Sequence, residues 1–367
     1  ILGEDILKTE GNIICNYEKN RIGIKNIFSN QFEKEVFVRS SEKISKIYTS
    51  PKEFFGNNLD TRCPEAIIYK KENENSTEFF KSNSVVMECD IKLNEFEKKD
   101  IIIKITTDEE TKNINLYEAL ISLEDTKSMW NQKLSRVKIN TPSKQLNIFI
   151  NGWCMYQTLA SRILGRTAYY QSGGAIGYRD QLQDTLGLKF LDINYMKEFI
   201  IKAAKHQFIE GDVLHWWHES NGLGVRTKFS DDLLWLVYLV IEYIEFTGDY
   251  SILDISVPYV QGEKLDKDKL EECKIYNVYG REETIFEHCI RAIEKGINLG
   301  ANNLPKIGTG DWNDGFSNIG SQGIGESIWL GFFIYDILKR FEKLLEKKDK
   351  IELIERYTII REIIRKA

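Results

Sequence analysis

The sequence predicts an N-terminal β-sandwich followed by an all-α domain, and two changes along the chain indicate this order. Up to about residue 125 there is no tryptophan, and only four of the 25 glycines occur there. Short β-branched segments of near-alternating polarity fill that region, whereas apolar residues recur at helical spacing from about residue 126. We therefore expect a sandwich at 1–125, a helical linker at 126–145 and a helical domain at 146–367.

Six segments are predicted to be strands of the sandwich: NIICNY, RIGIKNIF, EVFVRS, AIIYKK, SVVMECDIKL and DIIIKITT. Turn-rich stretches such as SNQFEKE and KENENSTE separate them. Short strands with separators of this kind are typical of antiparallel sheets rather than of a βαβ series, in which helices alternate with strands.

The helical domain is expected to begin in the segment TPSKQLNIFINGWCMYQTLASRIL, with Thr141 capping the helix and Pro142 at its first position. Further helices are predicted near 181–192, 194–207, 230–247, 281–300 and 325–345. The loops between them are rich in Gly, Trp, His and Asp. Because helical barrels build their sites from such loops, we expect a binding site there.

The charge pattern and the cysteines exclude several classes of protein and site. The formal charge of −6 arises from interspersed acidic and basic residues, so neither nucleic acid nor an anionic membrane is expected as a partner. No apolar run approaches the roughly 20 residues of a membrane span, and we expect a cytoplasmic protein. The six cysteines form no CxxC pair, which predicts reduced core residues rather than disulfides or a zinc site.

Four segments of the helical half combine glycine, aromatic residues and carboxylates: 166–184, 215–235, 279–289 and 308–331. This composition is typical of carbohydrate sites, because aromatic faces stack on sugar C–H surfaces while Asp, Arg, Asn and Gln bind hydroxyls. In YRDQLQD, Asp180 and Asp184 share a helix face beside Arg179 and Gln183. A face so polar predicts a polar ligand, and sugar is the leading class.

The four segments, in this order, resemble glycoside hydrolase family 94, the inverting phosphorylases of cellobiose, chitobiose and β-1,2-glucans. YYQSGGAIGYRDQLQD and GTGDWNDGF…GIGESIWLGFF are most similar to its branch of cyclic β-1,2-glucan synthases and 1,2-β-oligoglucan phosphorylases. The resemblance implies a β-sandwich joined by helices to an (α/α)6 barrel. It also implies a β-linked gluco-oligosaccharide as substrate, inorganic phosphate as co-substrate, α-glucose 1-phosphate as product and no cofactor; a homodimer is left open.

The resemblance also assigns residues to roles. The general acid is the last aspartate of the DWND motif, Asp314, with Trp312 beside the sugar that is cleaved off. Arg179 and Asp180 match residues that hold the hydroxyls of that sugar, and Asp184 is expected to support them. The expected substrate-binding residues are Arg166, Gln171, Arg179, Asp180, Asp184, Trp216, Trp217, Arg226, Trp312 and Glu326, and no metal ligand is expected.

One catalytic carboxylate suffices for this chemistry. An ordinary inverting glycosidase needs an acid for the leaving oxygen and a base for water, with the two carboxyl groups roughly 6.5–9.5 Å apart. Phosphate is already an anionic nucleophile, so a phosphorylase keeps the acid and replaces the base with a cationic phosphate pocket.

Several of these residues also have a structural interpretation. Asp180 and Asp184 are suited to capping a helix and pairing with Arg179. Trp216 and Trp217 are either core residues or, as we expect from the Gly-rich loop that follows HWWH, a wall of the acceptor sugar site.

Other polar residues of the same segments are expected to be structural. Asp231 and Asp232 are expected to form an ordinary helix N-terminus, and Asp311 is expected to have a structural role. His215 and His218 lack a third ligand in reach, which disfavours zinc.

Three functions remain open on the sequence alone: a phosphorylase of β-1,2-oligoglucans or of cellobiose-type disaccharides, a hydrolase that uses Glu287 or Glu326 as base, and a noncatalytic sugar-binding module. The resemblance implies a barrel of twelve helices, and a histidine and a Thr-Gly pair that complete the phosphate pocket further along the chain. The stretch from about 145 to 367 has room for roughly seven or eight helices. Three explanations stay open: the rest of the barrel lies outside this chain, a partner chain supplies it, or the module is degenerate.

Overall fold

The computed structural model describes residues 13–18, 20–26, 34–48, 51–57, 60–69, 85–108, 115–165, 174–219, 221–266 and 268–367. The chain divides into two compact units, Ile1–Asn131 and Gln132–Ala367.

The first unit is built mainly of antiparallel strands. These are β1 (Ile13–Glu18), β2 (Arg21–Asn26), β3 (Val36–Ser40), β4 (Lys46–Tyr48), β5 (Val86–Glu88) and β6 (Ile103–Thr106). One sheet has the order β1-β2-β3-β6, and β4 pairs with β5 in a second sheet. Two short helices, α1 (Pro51–Phe55) and α2 (Glu65–Ile68), lie between β4 and β5 in the chain. A small apolar cluster around Ile22, Ile44 and Ile47 forms its core.

Two predictions for this unit were wrong. The segment AIIYKK was predicted as a strand, but Glu65–Ile68 is a short helix that follows Pro64. A short apolar run does not distinguish strand from helix by periodicity, and here the proline supplies an extended residue at the helix start. The strand Lys46–Tyr48 was not predicted, and it pairs with Val86–Glu88.

Helices dominate the second half of the chain. In order these are α3 (Leu116–Leu134), α4 (Lys144–Ile148, continued by Phe149–Cys154, Met155–Gln157 and Thr158–Leu164, with π-helical geometry in the second and fourth stretches), α5 (Tyr178–Leu186), α6 (Ile193–Ala204), α7 (Asp232–Thr247), α8 (Ile285–Gly296), α9 (Ser317–Gly320), α10 (Ile328–Lys347) and α11 (Ile351–Lys366). The cap of α4 is Ser143, whose side chain accepts from Leu146 N, so the prediction of Thr141 as the cap was wrong.

The sequence predicted an all-α domain here, and this prediction was wrong because the second unit also contains strands. It contains β7 (Ile176–Gly177), β8 (Leu214–Trp217), β9 (Leu223–Thr227), β10 (Ser256–Gln261), β11 (Glu271–Ile275) and β12 (Asn277–Thr284). One antiparallel sheet has the order β11-β9-β8-β7, and β10 pairs with β12. β7, β8 and β9 were missed because they are short and lie in segments rich in Gly, Trp and His, which the sequence assigned to loops. β10 and β11 lie outside those segments, and the first residues of the helix predicted at 281–300 belong to β12.

Helix α7 is the centre of the core of this unit. Five of its residues are completely buried: Leu236, Val237, Leu239, Val240 and Ile241. A helix that is apolar on nearly all sides must be covered by neighbours, and α7 is in contact with α5, α6, α8 and α10. Its first turn is buried as well, which places the charged residues at its start inside the protein.

The cysteines correct the prediction that they are core residues. Among the described side chains, Cys63, Cys89, Cys154, Cys273 and Cys289 form no disulfide. Only Cys289 is buried, so most of them are not core residues.

Candidate active site

Arg179, in the first turn of α5, is the centre of the candidate site and is only 5% exposed. Its guanidinium donates to both carboxylate oxygens of Asp231, at 2.9 and 3.1 Å, and to the backbone carbonyl of Asp311 at 2.7 Å. It also forms an ion pair with Asp314, and its Nε lies 3.8 Å from Asp232. A single buried cation therefore joins the starts of α5 and α7 to the loop before α10.

The two aspartates at the start of α7 are almost completely buried, at 0% and 1% exposure for Asp231 and Asp232. Asp231 also accepts a hydrogen bond from the indole of Trp235 at 3.1 Å. His215 Nδ1 lies 2.8 Å from a carboxylate oxygen of Asp232. The two aspartates lie at a helix N-terminus, as predicted, but the Asp231 side chain does not cap the helix. Asp231 binds Arg179 and Asp232 binds His215 instead.

The loop that carries the DWND motif is held by hydrogen bonds to its neighbours. Asp311 accepts from Ser327 Oγ at 2.6 Å and from Asn313 N at 3.0 Å, and it is 5% exposed. The adjacent Gly308 has φ of +64°, and a Cβ there would lie 2.0 Å from the carbonyl oxygen of Lys228. Asp311 is thus a structural residue, as expected, and only glycine fits the close approach at 308.

Asp314 and Trp312 lie at the solvent side of this cluster. Asp314 begins a short 3-10 turn, and its side chain is 61% exposed although it contacts the buried Arg179. Trp312 is 54% exposed, and its indole donates to Gln183 on α5 at 3.2 Å. The carboxylate and the aromatic face are therefore presented to solvent next to the start of α5.

Burial and charge act in opposite directions on the cationic groups of the cluster. Burial lowers the pKa of Arg179, but the carboxylates of Asp231, Asp232 and Asp314 outweigh it and raise the pKa overall. Burial also lowers the pKa of His215, and its hydrogen bond to Asp232 reverses that effect, so the net shift is upward. Burial, followed by the charge of Asp232, raises the pKa of Asp231 to about 7.

The two aspartates that were predicted to share a face of α5 have different surroundings. Asp180 is exposed, one residue after the buried Arg179. Asp184 accepts from Arg162 Nε at 3.0 Å and forms a salt bridge with it, so the partner of Asp184 is on α4. Asp184 therefore ties α5 to α4 and does not pair with Arg179.

The neighbouring tryptophans Trp216 and Trp217 alternate along β8. Trp217 is 2% exposed and stacks on His206 with ring centroids 3.8 Å apart, so it is a core residue and the prediction of a site wall was wrong for it. Trp216 is half-buried and lies against His218. Successive residues of a strand point to opposite faces, which is why one ring is buried and the other is not.

Two further predicted substrate-binding residues have protein partners instead. Arg226 is 1% exposed and donates to Asp212, at 2.7 and 2.8 Å, and to Glu210 at 3.1 Å. Glu326 accepts from the backbone N–H groups of Asn302 and Leu304 at 2.9 and 3.3 Å. Neither side chain contacts the Arg179 cluster; Arg226 holds a turn and Glu326 holds a loop.

Two predicted site residues, Arg166 and Gln171, lie outside the described residues. Within the described part of the chain, no group of three or more His, Cys, Asp and Glu side chains is placed to hold a metal ion. Among those residues there is also no helix with the length and apolar character that crossing a membrane requires.

The profile of the Glycosyl hydrolase 94 superfamily catalytic domain matches residues 129–367. The chain belongs to glycoside hydrolase family 94. This confirms the resemblance that the sequence motifs indicated. The members of family 94 act on carbohydrates as glycoside phosphorylases or glycosyltransferases, and its catalytic domain has a helical-barrel architecture.

Several curated relatives in family 94 resemble the chain. It is 34% identical over 332 residues to the cyclic beta-(1,2)-glucan synthase NdvB of Rhizobium meliloti, which covers 88% of this chain and 12% of the relative. It is 29% identical over 209 residues to a solabiose phosphorylase of Paenibacillus borealis, and the match covers 57% of this chain and 24% of the relative. It is 23% identical over 225 residues to a 1,2-beta-oligoglucan phosphorylase of Listeria innocua, and the match covers 59% of this chain and 20% of the relative. The chain thus spans about an eighth to a quarter of the length of these relatives.

The sequence did not predict that Asp231, Asp232 and His215 belong to the Arg179 cluster. The adjacent acidic pair after KFS was visible, but acidic residues at a helix start are ordinary and gave no reason to assign a site. A signal for them was present in the sequence: they lie in the same segment as HWWH, which stands out by its glycine and aromatic content.

Proposed function

We propose that the chain carries the general acid of an inverting glycoside phosphorylase that releases α-glucose 1-phosphate from β-linked glucosides. The observation that carries this proposal is the contact between Arg179 and a half-exposed Asp314 beside the exposed ring of Trp312. Cation, carboxylate and aromatic face at one opening are the groups needed to hold a sugar ring and protonate its leaving oxygen.

In the proposed reaction, the sugar at the non-reducing end stacks on Trp312 while Arg179 and Asp180 bind its hydroxyls. The Asp314 carboxyl gives its proton to the glycosidic oxygen as the bond from that oxygen to C1 breaks. A phosphate oxygen forms the new bond to C1 from the opposite face, which inverts the β-linkage to α-glucose 1-phosphate.

The local contacts favour phosphorolysis over hydrolysis. Hydrolysis needs a second carboxylate as base, and Glu326 was a candidate for it. Its two oxygens accept backbone hydrogen bonds from Asn302 and Leu304, which fixes it in the loop that precedes α10. Glu287, the other candidate, is in the first turn of α8 and lines a cavity with Arg291 and Lys295 that Asp314 does not line.

For the substrate we propose β-1,2-linked gluco-oligosaccharides. The support is the similarity to the cyclic beta-(1,2)-glucan synthase over 88% of this chain, together with that to a 1,2-beta-oligoglucan phosphorylase. A disaccharide phosphorylase is the second candidate, and the match to solabiose phosphorylase favours it. We also propose that the meeting starts of α5, α7 and α10 belong to the inner ring of an (α/α)6 barrel.

The test is phosphate-dependent product formation by the intact protein. Sophorose-type β-1,2-oligomers and cellobiose are incubated with and without inorganic phosphate, and α-glucose 1-phosphate and reducing sugar are measured. We expect α-glucose 1-phosphate only with phosphate, and faster from the β-1,2-oligomers. Equal release of reducing sugar in the absence of phosphate would identify a hydrolase, and sugar binding without turnover would identify a binding module.

A further inference from the structure

A cavity of about 550 Å³ lies in the second unit, apart from the residues that carry the proposed phosphorolysis. Arg179, Trp312 and Asp314 do not line it, and its walls come from the end of β9, the loop before β11, the end of α8 and the loop around residue 306. The volume is within the range of about 300–1,000 Å³ that is typical of small-molecule sites.

Lysines are the most unusual feature of this cavity. Lys228, Lys264, Lys295 and Lys306 all line it, together with the buried Arg226. The lining acids, Glu210 and Asp212, are both bound to Arg226. Five cationic and two acidic side chains line this cavity, in a chain whose formal charge is −6.

Ion pairing does not account for three of these lysines. Lys264, Lys295 and Lys306 form no ion pair with any residue that the structure describes. Lys295 is in the last turn of α8, where a cation complements the helix dipole. That explanation does not extend to Lys264 and Lys306, which lie in loops. Like charges gathered around one cavity repel one another, and an anion relieves the repulsion.

The walls of the cavity are held in place without a ligand. The backbone of Thr309 donates to the carbonyl of Lys228 at 3.1 Å, and Ser230 Oγ donates to the carbonyls of Ile307 and Gly310 at 2.9 and 3.1 Å. These bonds join the 228–230 wall to the 306–310 wall. A pre-formed cavity lowers the conformational cost of binding.

The apolar part of the lining indicates that the anion is attached to a larger group. A bare phosphate would leave most of 550 Å³ empty, whereas the side chains of Phe229, Leu233 and Leu265 offer apolar faces to the C–H surface of a sugar. Phe229 also stacks on His215 with ring centroids 4.5 Å apart, so the cavity shares one wall with the Arg179 cluster.

We propose that this cavity binds a phosphorylated sugar, with Lys264, Lys295 and Lys306 around the phosphoryl group and Phe229 against the ring. The charges of the three lysines lie near solvent, so binding weakens as ionic strength rises. The site is separate from the one proposed to make α-glucose 1-phosphate, and its occupancy does not depend on turnover.

The experiment measures binding of glucose 6-phosphate, inorganic phosphate and glucose by titration calorimetry at low ionic strength. The triple variant Lys264→Gln, Lys295→Gln, Lys306→Gln is compared with Lys339→Gln, Lys343→Gln, Lys366→Gln, which removes the same charge from exposed positions on α10 and α11. We expect the first triple to weaken glucose 6-phosphate binding at least tenfold, and the second to change it less than twofold.

Further variants keep the outcome interpretable. If the first triple does not fold, two other variants replace it: the single Lys306→Gln, and a triple Lys→Arg at the same three positions, which keeps the charge. We expect weaker glucose 6-phosphate binding only for Lys306→Gln. Asp314→Asn should leave glucose 6-phosphate binding unchanged. A loss of binding in this variant would place the ligand in the proposed active site and overturn the proposal. Equal weakening by both triples, or equal affinity for inorganic phosphate and the sugar phosphate, would also overturn it.

Discussion

Arg179 is buried with three carboxylates in contact or close by, and its removal would leave them without their cation. Asp231 and Asp232 are fully buried, whereas Asp314 reaches solvent. Breaking a buried ion pair from one side is costly because the remaining charge is uncompensated. Arg179 is therefore expected to stabilise the fold as well as to bind substrate.

We predict that Arg179→Ala lowers the free energy of unfolding by about 3–5 kcal/mol. Asp180→Ala, at the exposed neighbouring position, should change it by less than about 0.5 kcal/mol. Urea unfolding of the two variants measures the difference.

Both variants are expected to weaken glucoside binding by about 2–5 kcal/mol, because each leaves a hydrogen-bonding group unpaired in the site. A stable Arg179→Ala variant would contradict the central role of this cation in the cluster.

A second prediction concerns Asp314 as the proton donor. Asp314→Asn keeps the shape of the side chain and its exposure, so sugar affinity should persist while turnover on the oligosaccharide falls by about two or more powers of ten. Steady-state kinetics of the intact protein, with binding measured separately, test this.

Glucosyl fluoride with phosphate is the matched control for Asp314→Asn, because its leaving group needs no proton. The loss should be much smaller on that substrate. Equal losses on both substrates would mean that Asp314 positions the sugar, and full activity on the oligosaccharide would remove it from the mechanism.

At the scale of elements, the site is formed where the starts of three helices meet. Arg179 begins α5, Asp231 precedes α7, and Ser327 caps α10 by accepting from Leu330 N at 3.0 Å. Ser327 Oγ also donates to Asp311, so the cap of α10 holds the loop that carries Asp314. The position of the proposed acid is thereby coupled to the start of a helix.

We predict that Ser327→Ala lowers the free energy of unfolding by about 2–4 kcal/mol, of which the cap contributes about 1 and the unpaired buried Asp311 the rest. Ser143→Ala is the matched control, since Ser143 caps the exposed start of α4 through Leu146 N and its hydroxyl reaches no buried carboxylate. It should cost about 1 kcal/mol. Chemical denaturation compares the two, and equal costs would show that the Asp311 contact does not stabilise the loop.

The elements that were predicted and those that were missed differ in a physical way. α7 and α10 were predicted because sixteen and twenty residues of helical period are a strong local signal. β8 was not, because four residues with two adjacent tryptophans show no clear period. Pairing with β9, seven residues after Trp216, stabilises it as a strand.

At the scale of the whole molecule, the buried acidic pair affects how stability depends on pH. A group whose pKa is higher in the folded than in the unfolded chain stabilises the fold while protonated and loses that contribution as pH rises. Burial, then Asp232, raises the pKa of Asp231 from 3.8 to about 7. The raised pKa of His215 has the same sign, with its contribution lost above its ordinary value of 6.5. Asp231 therefore predicts falling stability between about pH 4 and pH 7, and His215 adds to the fall above pH 6.5.

We predict that Asp231→Asn flattens this decline, since asparagine keeps the shape and does not ionise. Unfolding free energies of both proteins across pH 4–8 give the comparison. The pKa of Glu283, which its hydrogen bond with Arg291 lowers to about 2, produces the opposite slope only at lower pH and is common to both proteins. Identical slopes in the two proteins would show that Asp231 does not bind the extra proton.

The sequence alone determined the family, the long helices, five of the six segments assigned as strands and the motifs around Arg179 and Asp314, because these depend on local pattern. The partners were decided only by the tertiary structure: Arg179 meets Asp231 from 52 residues away and Asp314 from 135. The tertiary structure also buries Trp217 in the core and pairs Arg226 with the carboxylates of Glu210 and Asp212. A local period reports which face of an element is apolar, but which elements meet, and which charge thereby loses its water, depends on the packing of the whole unit.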